Sequence, residues 1–472
     1  MNAFARWTSA VRLACAACGK DNDGPPPEGP QTLVYALSEC TDGPGSATIR
    51  QALHVRRGEG EPVEVAVFGP LSLPTTYGLC ASWGRLRAGG ESAQVLPIQR
   101  IGVSPDGSLV IFEVTDDFSL LAQDWLPPGQ EGIYTVRADG SRLRRLGAAS
   151  RARGWVPFGL NGGYFSFSPN GNLAGFTDLD ADTPDPAVHQ VWTLDVRTGA
   201  RQQLTRLPRI PVPAGQLPVL FPVFVDNQTV TFGWWATSPD GSEPTDILTN
   251  FTVTTDPNNP QLAAIPVIAI EPGTLIPNLS ITTADPIVRS TGIPGRKPVN
   301  GPNVYGDIVR EAFLFDTEPS QVLQLTKFDR SDTAARLTAD NRRVVLFASA
   351  DPVGANPAAN CEFFSMDRNG AGVRQLTHIG EGQHSNCDAW DPYGRGCSVG
   401  HMSIDPVTGW VTFVSSCNPF GTNPNGDQIF TMRADGSGLR QVTFARGMTR
   451  EPDGTVHVEL PGPYSSPTRG GF

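Results

Sequence analysis

Charged residues make up only 18% of the 472-residue chain, and the balance among them is acidic, 36 Lys and Arg against 47 Asp and Glu for a net charge of −11. A nucleic-acid partner would need a basic stripe to meet its phosphates, so that class is set aside. Histidine is scarce, 6 in all and scattered, which gives little material for a metal-dependent active site. No segment beyond the N-terminus is apolar for long enough to cross a bilayer as a helix. Also missing are long stretches of 3.6-residue apolar periodicity, which excludes helical bundles and helical solenoids.

What the chain has instead is turns, with 51 Gly and 43 Pro, the composition of an all-β protein with many short strands. One fifteen-residue unit recurs. IYTVRADGSRLRRLG (Ile133–Gly147) and IFTMRADGSGLRQVT (Ile429–Thr443) agree at nine of fifteen positions, and FFSMDRNGAGVRQLT (Phe363–Thr377) and VWTLDVRTGARQQLT (Val191–Thr205) fit the same frame without a gap. AFLFDTEPSQVLQLT (Ala312–Thr326) keeps only the closing Gln-Leu-Thr. Each copy has an apolar run, a break at Asp-Gly, Asn-Gly or Thr-Gly, and a second run, the pattern of a β-hairpin in which glycine supplies φ > 0. A second hairpin signal precedes most copies, as in IGVSPDGSLVIF (Ile101–Phe112) and FSFSPNGNLAGF (Phe165–Phe176). Two hairpins per unit make four strands.

Such a sheet cannot bury both faces alone, so the units must stack, and radial stacking gives a β-propeller. The expectation is therefore an all-β chain forming a single propeller of four-stranded blades. Units starting near 101, 165, 223, 278, 338 and 404 give six, and Gln31–Gln99 is long enough for one more, so that seven blades are favoured over six. The order strand, Ser-Pro-Asp-Gly, strand, loop, strand, Ala-Asp-Gly-Ser, strand, Leu-Thr resembles the WD40-like propeller repeat of the TolB family over roughly residues 100–445. That resemblance implies the fold and an envelope location; it names no ligand, because the repeat serves many functions. Residues 31–100 read as strands and turns, so the α/β domain that precedes the propeller in that family has no counterpart here. After Thr443 the run Thr455–Leu460 is too short for a blade of its own and is expected to pair with the first strands and close the ring.

Residues 1–30 resemble a bacterial lipoprotein signal followed by a Pro-rich linker, with Cys18 as the lipid attachment point. The propeller is assigned to 31–462 and a disordered tail to 463–472. This places the protein outside the cytoplasm, as a periplasmic or outer-surface lipoprotein. Six cysteines remain beyond Cys15 and Cys18, an even number suited to disulfides. Blade topology puts the b–c and d–a loops on one face and the tight a–b and c–d turns on the other. On that basis the expected pairs are Cys387–Cys397, Cys361–Cys417 and Cys40–Cys80. Zinc held with His378, His384 and His401 is the rival, but Cys-x9-Cys is not the spacing of a zinc knuckle.

Gly396–Gly400 matches G-x-S-x-G, yet a strand follows where the nucleophile elbow needs a helix, so the match is chance. Asp178, Asp180 and Asp182 alternate in a b–c loop as carboxylates do around calcium, although the Gly and Glu of an EF-hand loop are absent; the alternative is a solvated acidic loop. Trp125, Trp155, Trp234 and Trp390 fall in or beside loops of the long-loop face, where exposed rings would suit a protein or glycan surface. The function expected is a non-enzymatic binding scaffold, without a required cofactor, monomeric, and engaging an envelope protein or glycan. The alternatives are a lyase- or lactonase-like propeller enzyme with a metal at the channel mouth, or a purely structural surface protein.

Overall fold

Local chemistry at the turns sets the strand pattern. In the hairpin at Ile101–Phe112, Asp106 accepts the Ser104 hydroxyl (2.5 Å) and the Ser108 N–H (3.0 Å), while the Gly107 N–H donates to the Ser104 carbonyl (2.8 Å). Ser168 with Asn170, and Thr338 with Asp340, repeat the arrangement. A short polar side chain that bonds to its own turn fixes the chain reversal before any packing occurs.

The computed structural model describes residues 32–465 other than 44, 75–79, 81–97, 116–128, 152–164, 183, 185–187, 209–218, 225, 238–243, 257–261, 266–286, 293–309, 318–319, 329–332, 339, 381–383, 388–395, 406–407 and 424–425. Cys18 and the signal-like segment lie outside this range. The first strands are long: β1 (Thr32–Gly43), β2 (Ser46–Arg57) and β3 (Val63–Pro74). Next come β4 (Ile98–Val103), β5 (Leu109–Val114), β6 (Gly132–Arg137) and β7 (Arg144–Gly147), then β8 (Ser166–Phe167), β9 (Leu173–Leu179), β10 (His189–Asp195) and β11 (Arg201–Gln203). The middle of the chain holds β12 (Val219–Phe224), β13 (Thr229–Thr237), β14 (Pro244–Thr254) and β15 (Leu262–Ile265), followed by β16 (Ile287–Gly292), β17 (Arg310–Thr317) and β18 (Ser320–Gln324). The last repeats supply β19 (Thr333–Leu337), β20 (Arg343–Ala348), β21 (Glu362–Asp367) and β22 (Arg374–Gln375), then β23 (Ser385–Asn386), β24 (Cys397–Ile404), β25 (Trp410–Ser415), β26 (Gln428–Arg433) and β27 (Arg440–Gln441). Two strands end the described chain, β28 (Gly447–Arg450) and β29 (Val456–Ser465).

These strands form seven sheets. Six of them, β4–β7, β8–β11, β12–β15, β16–β18, β19–β22 and β23–β27, follow the sequence repeat and are its blades; the remaining sheet, in the order β28-β29-β1-β2-β3, draws on both chain ends. Residues 31–99 are thus not another copy of the unit, and six blades stand where seven were favoured. The first strands of successive blades touch, β4 with β8, β8 with β12, β16 with β19 and β19 with β24, and so form the inner wall of a β-propeller, while β29 of the closing sheet touches β4 on one side and β26 on the other. Apolar side chains fill the space between neighbouring sheets. Phe363, Phe413 and Phe430 stack in series between the last two blades, with centroids 4.5 and 5.6 Å apart.

Four strands per blade hold for only part of the ring. The sheet β16–β18 shows three strands among the described residues, and β23–β27 has five because the short β23 adds in parallel beside β24. β29 also runs past the expected boundary at 462, pairing Tyr464 with Tyr35 and Ser465 with Val34.

The structure shows why the repeat ends in Gln-Leu-Thr. The Thr443 hydroxyl receives the Ile429 N–H and donates to the Gln428 Oε1, which also accepts the Ala445 N–H. Thr205 with Gln190, Thr326 with Glu311 and Thr377 with Glu362 make the same clasp across the c and d strands. The Gln two residues before the Thr donates its Nε2 to that Thr carbonyl in all four of these blades, Val442 standing in for the Leu in the last. The hairpin glycine has an inter-blade role: a Cβ on Gly436 (φ +85°) would lie 2.8 Å from the Leu376 carbonyl of the preceding blade, and Gly199 and Gly370 sit in the same way against Leu146 and Leu325.

The clasp yields a graded expectation. Glu362 is buried, and burial holds its carboxyl above the ordinary range while three donors, from Thr377, Ile379 and Gly380, hold it down. Glu362→Ala strands those donors and is expected to cost about 2–4 kcal/mol. Glu362→Gln, already the residue of two other blades, is expected to stay within about 1 kcal/mol of the native chain. Chemical denaturation of both variants checks this.

Candidate functional site

Two clusters occupy the face where the b–c and d–a loops meet. The first lies between the blades β4–β7 and β8–β11. Glu113, in the otherwise apolar strand Leu109–Val114, is fully buried; it faces Arg100 at 3.3 Å and accepts the Ser150 N–H. Arg100 also donates to the Thr177 carbonyl at 3.1 Å. Burial pushes the Glu113 carboxyl up, opposed by Arg100.

The aspartates expected as calcium ligands join this cluster, where Asp180 and Asp182 share Arg206. Asp178 accepts the backbone N–H groups of Arg151 and Leu179 and pairs with Arg201 at 3.3 Å; that guanidinium also lies over the Phe176 ring. Asp180 accepts from Gln203 at 2.7 Å, and Asp182 pairs with Arg206 at 2.9 Å. Among the described residues no group of three or more His, Cys, Asp or Glu side chains is arranged to hold a metal ion. The alternating acidic spacing is thus answered by cations and amides from neighbouring strands.

His189, next to this network, is 3% exposed, and its Nδ1 has no hydrogen-bond partner. Burial, reinforced by the Arg100 charge and opposed by Asp178, pulls its pKa down to about 4. A depressed folded-state pKa means the neutral ring stabilises the fold above the ordinary histidine value, and that stability is lost as pH falls through the folded value. His189 is therefore expected to withdraw stability of the order of 3 kcal/mol between about pH 6.5 and pH 4. His189→Leu should flatten that part of the stability–pH profile; a profile parallel to the native one would contradict it.

The second cluster belongs to the last two blades. The disulfides Cys361–Cys387 and Cys397–Cys417 each join a b–c loop to the d–a segment that runs between the last two blades, which corrects the expected pairs Cys387–Cys397 and Cys361–Cys417; Cys40–Cys80 is as expected. The cause is strand pairing. Val399 pairs with Ser415, and continuing that antiparallel register outward sets Cys397 against Cys417. Likewise the Cys361 N–H donates to the Ser385 carbonyl at 3.0 Å, which brings Cys387 to Cys361. Both b–c loops are also braced by asparagine: Asn356 Nδ2 donates to the Ala350 and Asn360 carbonyls, and Asn423 Nδ2 to the Cys417 carbonyl. Gly396 (φ +86°) is required beside them, since any Cβ there would collide with the His384 carbonyl that receives the Cys397 N–H.

Between the second of these loops and the d–a segment opens a depression of about 600 Å³ lined by His384, Gly396, Cys397, Ser416, Asn418, Asn423 and Gly426. Its size falls in the range of small-ligand sites. Of the tryptophans expected on this face, Trp125, Trp155 and Trp390 lie outside the described residues, and Trp234 is in strand β13, paired with Val219 and Thr249. Among the described residues, the large exposed apolar side chains in loops of this face are Val353, Phe420 and Phe444. Sequence reasoning passed over Glu113 and the clasp residues, although a lone carboxylate in an apolar strand and a Glu or Gln just before each c strand were there to be read.

No family model matches the chain, and no curated protein matches its sequence. Solved structures it is similar to include TolB from Acinetobacter baumannii, at 13% identity with a TM-score of 0.33, covering 91% of this chain but only 66% of that one. Another is oligogalacturonate lyase from Vibrio parahaemolyticus, at 11% identity and TM-score 0.45, covering 84% of this chain and 90% of that one. The β-propeller domain of the Trilobed protease from Pyrococcus furiosus is a third, at 11% identity and TM-score 0.42, covering 75% and 85%.

Proposed function

We propose that the protein is a non-enzymatic, extracytoplasmic binding scaffold that engages an envelope protein or glycan through the long-loop face. The observation that carries this reading is the construction of that face in the last two blades, where two disulfides and two asparagine-braced loops order the long loops, and the Cys397–Cys417 bridge and the Asn423 loop border an open depression. Loops ordered before contact lose less freedom on binding, which is how rigid scaffolds gain affinity. The opposite face consists of short turns whose polar side chains are spent on their own backbone. Three disulfides are the chemistry of oxidising compartments, and no helix of the described residues is long and apolar enough to cross a membrane.

The test uses immobilised full-length protein and solubilised envelope extract. Val353→Arg and Phe444→Arg alter exposed positions of the long-loop face, and Leu143→Arg alters an exposed position at a c–d turn. Capture of an envelope component is expected to be lost in the first two variants and kept in the third. Equal capture by all three would count against the reading.

A further inference from the structure

One c–d turn departs from its sister turns where the departure costs stability. Aligned without gaps, DGSRLRR (Asp139–Arg145) stands against NGAGVRQ (Asn369–Gln375) and DGSGLRQ (Asp435–Gln441). In the last two blades the fourth position is glycine in the left-handed region, Gly372 (φ +64°) and Gly438 (φ +66°). The first blade puts Arg142 there, at φ +58°. A side chain in that region is strained, and such strain persists where the side chain serves something other than the fold. The next residue departs as well. Val373 and Leu439 pack onto buried apolar clusters, whereas Leu143 is 50% exposed.

Arginines surround that leucine. Arg137, Arg142 and Arg144 are exposed, and Arg144 donates to the Val196 and Arg197 carbonyls at 3.1 and 2.8 Å, which sets the exposed Arg197 of the second blade beside the turn. The nearby carboxylates of Asp106, Asp139 and Asp195 accept backbone N–H groups of their own turns. On the adjoining β2–β3 turn, Arg56 and Arg57 balance Glu59 and Glu61, and Glu59 pairs with Arg440. A chain of net charge −11 thus shows a cationic corner with an apolar tip. The Ala138 N–H donates to the Ser108 carbonyl and the Thr32 hydroxyl to the Gly107 carbonyl at 2.9 Å, so β1 starts at the a–b turn of this same blade. Residues 19–31 separate Thr32 from Cys18, so a lipid carried on Cys18 would keep this corner near a bilayer, with the long-loop face on the far side.

We propose that this corner docks on an anionic phospholipid surface, with Leu143 entering between headgroups and Arg137, Arg142 and Arg197 meeting their phosphates. Guanidinium groups match phosphate oxygens in pairs, and each cation near such a surface strengthens binding about fivefold. The leucine adds apolar burial, which a bilayer rewards and a soluble anion does not. Docking uses the face opposite the one that captures a partner, so the two readings stand or fall separately.

The experiment sediments the full chain, carrying Cys18→Ser so that no acyl chain contributes, with vesicles of phosphatidylglycerol and phosphatidylcholine in equal parts or of phosphatidylcholine alone. Binding to the anionic vesicles is expected to exceed binding to the neutral ones by about tenfold or more and to weaken as salt rises. Arg142→Glu and Leu143→Ser are each expected to weaken it about fivefold or more. Arg142→Gly discriminates best, because it restores the residue of the sister turns: vesicle binding should weaken while Tm is unchanged or raised. Equal binding to neutral vesicles, no binding to either, full binding by Arg142→Glu, or a loss in Arg142→Gly matched by a lower Tm would overturn the docking surface. Capture through the long-loop face is measured separately, so any of these failures leaves the scaffold reading standing.

Discussion

Deleting residues 449–472 is expected to lower Tm by well over about 10 °C, because it removes the strand that closes the ring. β29 pairs with β1 from Asp42↔Val456 to Val34↔Ser465, and it touches the neighbouring strands β4 and β26. Val456 and Val458 are buried in that contact. Without them β1 would present an unpaired backbone edge towards the inner wall, and its ladder groups would have to find water or another chain. Differential scanning calorimetry of the truncated and full chains checks this. A coincident melting curve would show that the ring does not depend on the pairing of its two ends.

The second large effect concerns the cysteines. A non-reducing peptide map is expected to recover Cys361 linked to Cys387 and Cys397 linked to Cys417. Sequence separations of 26 and 20 residues imply a loss of roughly 3 kcal/mol when either pair is replaced by alanine, in the chain-entropy model. Because both bridges tie a b–c loop to the d–a segment between the last two blades, either double variant should also weaken whatever the long-loop face captures. A peptide carrying Cys387 joined to Cys397 would refute this connectivity. Replacement with no change in denaturation midpoint would refute the stabilising role.

The turns, the apolar alternation and the Gln-Leu-Thr ends are local patterns, each specified within about fifteen residues, and they determined the propeller before any coordinate was known. The same holds for closure, since an orphan strand at Thr455–Leu460 and a sheet with an open edge have one economical solution. The Leu at the end of one unit and the Gly in the hairpin of the next were both visible, but their meeting across blades was not. Sequence spacing also led to the wrong disulfide partners. The d–a loop holding Cys387 and Cys397 looked as if it should close on itself, whereas pairing is decided by which strand ends lie opposite each other, and the register of Val399 with Ser415 belongs to the folded sheet. For Asp178, Asp180 and Asp182 the alternation was legible, yet the Arg201 and Gln203 of β11 and the Arg206 beyond it, which pair with them, were not. Leu143 is the clearest case of what only the tertiary structure decided: its turn reads almost like those of Val373 and Leu439, yet those two pack onto the core and Leu143 stands exposed. Periodicity along the chain fixes hairpins because their contacts are near in sequence. Partners far apart in the chain are fixed by packing, where an ångström or two decides whether a bond forms.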